Sequence, residues 1–207
     1  MTIDRAGWPF IGGALILAAA GGLLAGPPWT APFLVLAVLF LFFFRDPVRH
    51  PPAAPDVVVS PADGRVLVAG PGEAGVAPPG EWLQVSIFLS PLDVHVNRIP
   101  IGGQVTRVEY RPGRALPAYR RQAADVNERS EVWIDHGGVL VVARQVVGVL
   151  ARRVVCRVQP GASVRTGDRF GVMKFGSRMD VFMPPTAMLT VTAGQSVRGG
   201  ETIIARL

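Results

Sequence analysis

The body of this chain is predicted to be mainly β, a compact sandwich or barrel-sandwich hybrid of short strands, preceded by an N-terminal hydrophobic helical hairpin. Three observations predict it. Asp4 and Arg5 are the only charged residues before Arg45, so the first 44 residues are nearly pure hydrocarbon while the remainder carries the net charge of +6. Beyond the Pro-rich stretch Pro47 to Pro55, the chain breaks into short β-branched runs punctuated by Gly, Pro, Asp or Asn, and few windows show a 3.6-residue period. Finally, Gly161-x-x-Val164-x-x-Gly167-Asp168 recurs as Gly194-x-x-Val197-x-x-Gly200-Glu201. A turn at each glycine with the valine packed between them is how small sandwiches and barrel-like hybrids turn corners.

The hairpin comes first in the chain. Trp8 to Gly26 and Trp29 to Phe44 contain no charge, and Pro27-Pro28 between them cannot continue a helix. Each arm is at the short end of the roughly 20 residues needed to cross a bilayer, so two spans and a shallow re-entrant pair are both open. A cleavable signal peptide would be followed by polar sequence, but here a second apolar run follows. Arg5 precedes the first arm and Arg45 and Arg49 follow the second, which places both ends on the cytoplasmic side. Residues 1–44 are thus expected to anchor the chain in the cell membrane, 45–55 to link, and 56–207 to form a β-rich domain on the cytoplasmic face.

In that domain the strand-like runs are Val57 to Val59, Arg65 to Ala69, Trp82 to Leu89, Gln104 to Tyr110, Glu131 to Asp135, Val139 to Ala143, Arg153 to Val158 and Ala187 to Thr192. Leu116 to Asn127 is the best helical candidate, but it contains Pro117 and reads as a loop with at most a helical turn. With 49% hydrophobic and 17% charged residues the chain is not disordered. A domain of about 160 residues buries enough surface to fold without staples. Cys156 is the only cysteine, which excludes an intramolecular disulfide and fits a reducing compartment. The positive charge suits anionic headgroups; the arginines are scattered rather than clustered with aromatic residues, which argues against nucleic acid.

Three turns supply residues that can carry chemistry. Gly176-Ser177 lies in Lys174-Phe175-Gly176-Ser177-Arg178-Met179-Asp180, between two strand-like runs. A serine after glycine can attack the preceding carbonyl when the turn is strained, because glycine tolerates the required dihedrals and leaves the approach open. The resulting ester can undergo β-elimination, splitting the chain and leaving a dehydroalanine that hydrolyses to a pyruvoyl group. Such a ketone forms a Schiff base with an amine and accepts electrons. Asp63 in Ser60-Pro61-Ala62-Asp63-Gly64 and His95 in Leu89-Ser90-Pro91-Leu92-Asp93-Val94-His95-Val96-Asn97-Arg98 are by default a turn residue and a packed histidine. With Ser177 they also make up the parts for base-assisted serine attack, in which a carboxylate orients an imidazole.

These segments, taken in order with Phe43-Phe44-Arg45-Asp46-Pro47, Asn127-Glu128-Arg129 and Ala151-Arg152-Arg153-Val154-Val155-Cys156, resemble the phosphatidylserine decarboxylase family in its short form, from about Phe43 to the C-terminus. The resemblance implies a self-cleaving proenzyme with Gly176-Ser177 as the cleavage site. It implies a β chain of 1–176 and an α chain of 177–207 forming a heterodimer, with a covalent pyruvoyl cofactor made from Ser177. Asp63 and His95 would assist maturation, and His95 is a candidate acid or base in decarboxylation. The substrate implied is phosphatidylserine, bound at the bilayer surface, converted through a Schiff base to phosphatidylethanolamine and CO2. Longer family members carry a second histidine three residues after the first, where this chain has Arg98. Either His95 does both jobs, or water, Asp93 or another group moves one proton. Arg45, Arg98, Arg129 and Arg178 are candidates for the phosphodiester, since arginine binds anionic oxygens in bidentate geometry. Further homo-oligomerisation is left open.

Two rivals stand beside this reading. Val158 to Phe175 resembles a biotinyl or lipoyl carrier hairpin with Lys174, the single lysine of the chain, at its tip; a carrier, however, usually has methionine on both sides of that lysine, and Phe175 follows here. A noncatalytic membrane scaffold is the other. His50 reads as a solvated residue, His136 as part of a hairpin turn and Cys156 as a small buried hydrophobe. No His, Cys or carboxylate spacing suits a metal site, so no metal is expected.

Overall fold

The computed structural model describes residues 1–120, 122–149, 154–174 and 176–207. They form two compact units, Met1–Val48 and Arg49–Leu207.

In the first unit, α1 (Trp8–Ala25) and α2 (Thr30–Phe43) are antiparallel arms joined by a 3-10 turn at Pro27–Trp29, where Gly26 takes a positive φ of 96°. Small residues on α1 let the arms approach: a Cβ on Gly22 would lie 2.5 Å from the Thr30 hydroxyl. Phe10 fills the interface, its ring 5.5 Å from Phe40 and 5.4 Å from Phe44. The two ends are tied by β1 (Thr2–Ile3) and β2 (Arg45–Asp46), paired Thr2 to Asp46 and Ile3 to Arg45, which puts both ends of the hairpin side by side. Arg5–Ala25, 21 residues with a mean hydropathy of 1.8, is long and apolar enough to cross a membrane, and the 14 residues of α2 rise only about 21 Å.

The second unit is built from β3 (Val57–Val59), β4 (Gly64–Pro71), β5 (Leu83–Leu89), β6 (Val96–Arg98), β7 (Gly103–Arg111), the single turn α3 (Ala123–Val126), β8 (Arg129–His136), β9 (Val139–Val146), β10 (Val155–Cys156), β11 (Ser163–Val164), β12 (Arg169–Val172), β13 (Ser177–Met183), β14 (Met188–Leu189), β15 (Ser196–Val197) and β16 (Ile203–Arg206). Eight strands form one curled antiparallel sheet in the order β11-β7-β8-β9-β13-β5-β4-β15, and two three-stranded sheets, β10-β12-β6 and β14-β16-β3, complete the layers. The expected mainly β architecture is therefore present.

The large sheet is buried on both faces at its centre. One face, with Val85, Ile87, Leu89, Val141, Ala143, Met179, Val181 and Met183, forms the main core. Each fully buried large side chain of this kind contributes about 1.5–3 kcal/mol. The other face, with Val142 and Phe182, packs on Val76 and Ala124 and is capped by an edge-to-face Trp82–Trp133 pair 6.0 Å apart.

The internal repeat has the mechanics expected of it. Gly161, Gly167, Gly194 and Gly200 all take positive φ, and Val164 and Val197 are buried between them. The two copies lie at opposite edges of the large sheet, Val164 opposite Gly103 and Val197 opposite Gly64. Each of those glycines is needed: a Cβ on Gly64 would stand 2.1 Å from the Phe88 carbonyl oxygen, and one on Gly103 2.2 Å from that of Asp135. The turn amides repeat as well, Gly194 donating to Val66 and Gly161 to Val105, Gly200 to Ser60 and Gly167 to Ile99. The large sheet is thus built from two related halves that meet between β9 and β13.

The strand runs differ from expectation in two ways. β6, β11, β12, β13, β15 and β16 are strands that were not among the predicted runs, and β10 and β14 are only two residues long. Leu116 to Asn127 contains the single turn α3, as its proline implies.

Candidate active site

The Gly-Ser junction lies where a turn enters the central strand β13. Gly176 has φ of +72°, a left-handed conformation that few other residues adopt without strain. Ser177 is not a turn residue but the first residue of β13, opposite Leu89 of β5, and is fully buried. Its Oγ has no hydrogen-bond partner among the described residues. An unsatisfied buried hydroxyl costs about 1–3 kcal/mol, so a protein that keeps one has reason to.

His95 meets this junction from the other side. The Gly176 N–H donates to His95 Nε2 at 3.4 Å, and His95 Nδ1 lies 2.9 Å from the Asp93 carbonyl oxygen. The two contacts together select one tautomer: Nε2 accepts, so Nδ1 carries the proton and donates to Asp93. The Nε2 lone pair therefore faces the Gly176 N–H, one peptide unit before the Gly176–Ser177 bond. The His95 ring is fully buried and the turn behind it is pinned by the Asp93 carboxylate, which accepts from the Ser90 N–H at 2.7 Å.

Gly148 was not singled out in the sequence, yet it presses on the Gly176–Ser177 peptide. A Cβ there would lie 1.9 Å from the Gly176 carbonyl oxygen. The Asn-Glu-Arg motif holds Gly148's neighbours in place: Asn127 Nδ2 donates to the Val147 carbonyl, the Val147 N–H donates to the Glu128 carbonyl, and Glu128 Oε1 accepts from the Val154 N–H. A small apolar recess of 140 Å³ opens beside Gly176, lined by Phe88, Pro91, Pro117, Tyr119 and Val149.

Asp63 lies just before β4, in a cleft shared with the Ser90–Asp93 turn. Its carboxylate accepts from the Gly199 N–H at 2.7 Å and pairs with Arg49 at 2.6 Å, in a cleft of 520 Å³ that also contains Ser90 and Asp93. His95 Nδ1 is bonded to the Asp93 carbonyl, and the Asp63 carboxylate is bonded by Arg49 and Gly199. The candidate arginines are all engaged by protein groups. Arg98 is buried, donates to the Gly167 carbonyl at 3.1 Å and packs on Gly200. Arg129 bonds the Asp125 carbonyl; burial, then the nearby Arg144 and Arg111, lowers its pKa. Arg178 is fully buried on the far face of β13, bound to Asp180 at 2.6 Å, Ser86 at 2.8 Å and Glu73 at 3.4 Å. Burial alone would lower its pKa, but Asp180 and Glu73 outweigh that and raise it. In the first unit, Arg45 stacks 3.8 Å over the Phe42 ring.

Lys174 follows β12, and β12 and β13 belong to different sheets, so Lys174 is not at the tip of a free carrier hairpin. Cys156 is half-buried, and burial pushes its thiol pKa up, which makes it inert as expected. Phe175 and the first half of the Ala151 to Cys156 motif, residues 151–153, lie outside the described residues.

Comparison with known proteins agrees with this constellation. The family model described as phosphatidylserine decarboxylase matches residues 36–205. A protein of Pelodictyon phaeoclathratiforme named phosphatidylserine decarboxylase proenzyme is 45% identical over 93% of this chain and 92% of its own length. Proteins of the same name from Solibacter usitatus, 45% identical over 93% of this chain and 92% of their own length, and Nitrosomonas europaea, 40% identical over 98% and 94%, are similar throughout. With the family model matching residues 36–205 and relatives at least 40% identical over nearly the whole chain, the chain belongs to the phosphatidylserine decarboxylase family.

Proposed function

We propose that the chain cleaves itself between Gly176 and Ser177 and, once cleaved, decarboxylates phosphatidylserine to phosphatidylethanolamine and CO2. The observation that carries this reading is the junction itself: among the described residues the buried Ser177 hydroxyl has no partner, and the N–H of the adjacent Gly176 donates to His95 Nε2.

In maturation, Ser177 Oγ bonds to the Gly176 carbonyl carbon, the Gly176–Ser177 C–N bond breaks, and His95 Nε2 takes the hydroxyl proton and passes it to the liberated amine. Loss of the Ser177 Cα proton then expels the Gly176 carboxylate with Oγ. Water replaces the nitrogen, ammonia leaves, and a pyruvoyl group heads the 177–207 chain. The residues at this position fit such a group, since position 177 is fully buried in a mainly apolar layer and offers no side chain that would have to be displaced. When formed, the pyruvoyl group supplies a ketone that captures the serine amine of the lipid and takes up the electrons left when CO2 departs. His95 Nε2 is the proton-carrying group at the junction in both stages. Burial keeps bulk water from it. Asp63 acts through the Arg198–Gly200 turn that it caps, tying the 1–176 chain to the 177–207 chain. The hairpin of 1–44 anchors the protein in the cell membrane with the catalytic domain on the cytoplasmic face, where the lipid substrate is met.

The test is a denaturing gel with intact mass, wild type beside Ser177→Ala. The expected result is a 1–176 chain and a 177–207 fragment whose mass fits an N-terminal pyruvoyl, with the mutant whole. An uncleaved, folded wild type refutes the reading.

A further inference from the structure

Asn97, Gln145 and Ser177 are the three fully buried neutral side chains that carry an unpartnered polar atom among the described residues. They belong to one place. Gln145 of β9 stands opposite Met179 of β13, and Ser177, two residues earlier on β13, shares the same face as its diagonal neighbour. Apart from these two the face is apolar around them, with Ala143, Met179 and Val181. Gln145 Nε2 donates to Asn97 Oδ1 at 2.8 Å, joining the large sheet to β6, and also approaches the Val155 carbonyl at 3.4 Å. The Val155 contact fixes which end of the Gln145 amide is nitrogen. That in turn turns Asn97 Oδ1 towards Gln145 and leaves Asn97 Nδ2 as the free donor. His95, two residues before Asn97 on the same extended segment, reaches the neighbouring Gly176.

We propose that Asn97 Nδ2 is the hydrogen-bond donor to the ketone oxygen at position 177 in the mature protein, and that Gln145 is the positioning residue that aims it. This rests on the pyruvoyl reading above. The chemistry is complementary: a pyruvoyl group has two acceptor oxygens and no donor, so burying it calls for a donor that the serine stage leaves unused. A donor on that oxygen polarises the carbonyl towards attack by an amine.

The experiment uses phenylhydrazine, a small nucleophile that reports the ketone by its coloured hydrazone and needs no lipid. Hydrazone formed after denaturation counts the ketones, and the rate on native protein measures their polarisation. Asn97→Leu is expected to cleave and to give the wild-type count, with a native rate lower by about tenfold to a hundredfold; Gln145→Met is expected to show a smaller fall of the same kind. Where Asn97→Leu does not mature, Asn97→Asp is read instead. It keeps the acceptor for Gln145 and can donate only when protonated, so its rate relative to wild type should fall as pH rises. A native rate equal to wild type in Asn97→Leu, or a flat ratio near one in Asn97→Asp, overturns the inference while leaving the pyruvoyl reading intact. A wild type that yields no hydrazone after denaturation overturns the pyruvoyl reading itself.

Discussion

Gly148→Ala places one methyl group against the bond to be cut. The added Cβ would stand 1.9 Å from the Gly176 oxygen, whereas carbon and oxygen pack at about 3.5 Å, so the two segments must separate by about 1.6 Å. Val147 is held by Asn127 and Glu128, so the Gly176 side yields first. A misplacement of about 1 Å costs on the order of a hundredfold in rate, which is about 2.7 kcal/mol of barrier. The same overpacking costs about 1–3 kcal/mol of stability, well within the roughly 5–15 kcal/mol of a folded domain. The variant should therefore fold and cleave at least a hundredfold more slowly. The assay follows conversion by intact mass over hours after purification, beside thermal unfolding monitored by circular dichroism. Wild-type cleavage kinetics in a folded Gly148→Ala protein would refute the claim that this close approach holds the scissile carbonyl in place.

Position 176 itself should rank substitutions by tolerance of a positive φ: Gly176→Asn is expected to retain measurable cleavage and Gly176→Val to lose it, because space for a Cβ is open there and only the backbone conformation is demanding. His95→Phe removes the Nε2 acceptor and should slow chain cleavage about a hundredfold or more, read on the same gels. Arg178→Met leaves Asp180 buried without its cation and should cost about 3–5 kcal/mol in denaturant unfolding, with Arg178→Met/Asp180→Asn recovering part of it. Burial alone would raise the Glu201 carboxyl, but the His50 amide and Arg49 outweigh it and hold its pKa below the ordinary value. A carboxylate with a lowered folded-state pKa stabilises above its unfolded pKa and loses that contribution as pH falls through the folded one. The small Tm difference between wild type and Glu201→Gln should accordingly be present at neutral pH and vanish in strong acid.

What could be read from the sequence was what is local. The apolar arms, the strands with clean alternation and the glycine-valine turns announce themselves within a few residues, and the ordered motifs pointed to His95, Gly176 and Ser177. β13 escaped because Arg178 and Asp180 make one side of it look solvent-facing, whereas both sides are buried and those charges find Ser86 and Glu73 from other segments. The partners of Asp63, Arg49 and Gly199, come from the start and end of the unit, and no local pattern reveals such a choice. Gly148 looks like any loop glycine until the chain is folded; its meaning lies in a contact with a peptide far along the sequence. Asn97 and Gln145 each read as a stray polar residue in an apolar run, and only the stacking of two sheets makes them a pair.

The position of β13 decides what a break before Ser177 can change. Strand pairing runs from Ser177 to Met183 on the β5 side and from Arg178 to Phe182 on the β9 side, and further on β15 pairs with β4 and β16 with β3. A severed 177–207 segment is therefore woven into the sheets along most of its length and stays behind as an integral part of the body. The freedom gained would fall on the upstream end, whose last residue, Gly176, lies outside β13 and would become a new carboxylate. A break before Ser177 would thus act as a one-sided release: the residue that begins β13 would keep its seat in the sheet while the end before it came free, without any rearrangement of the strands that hold it.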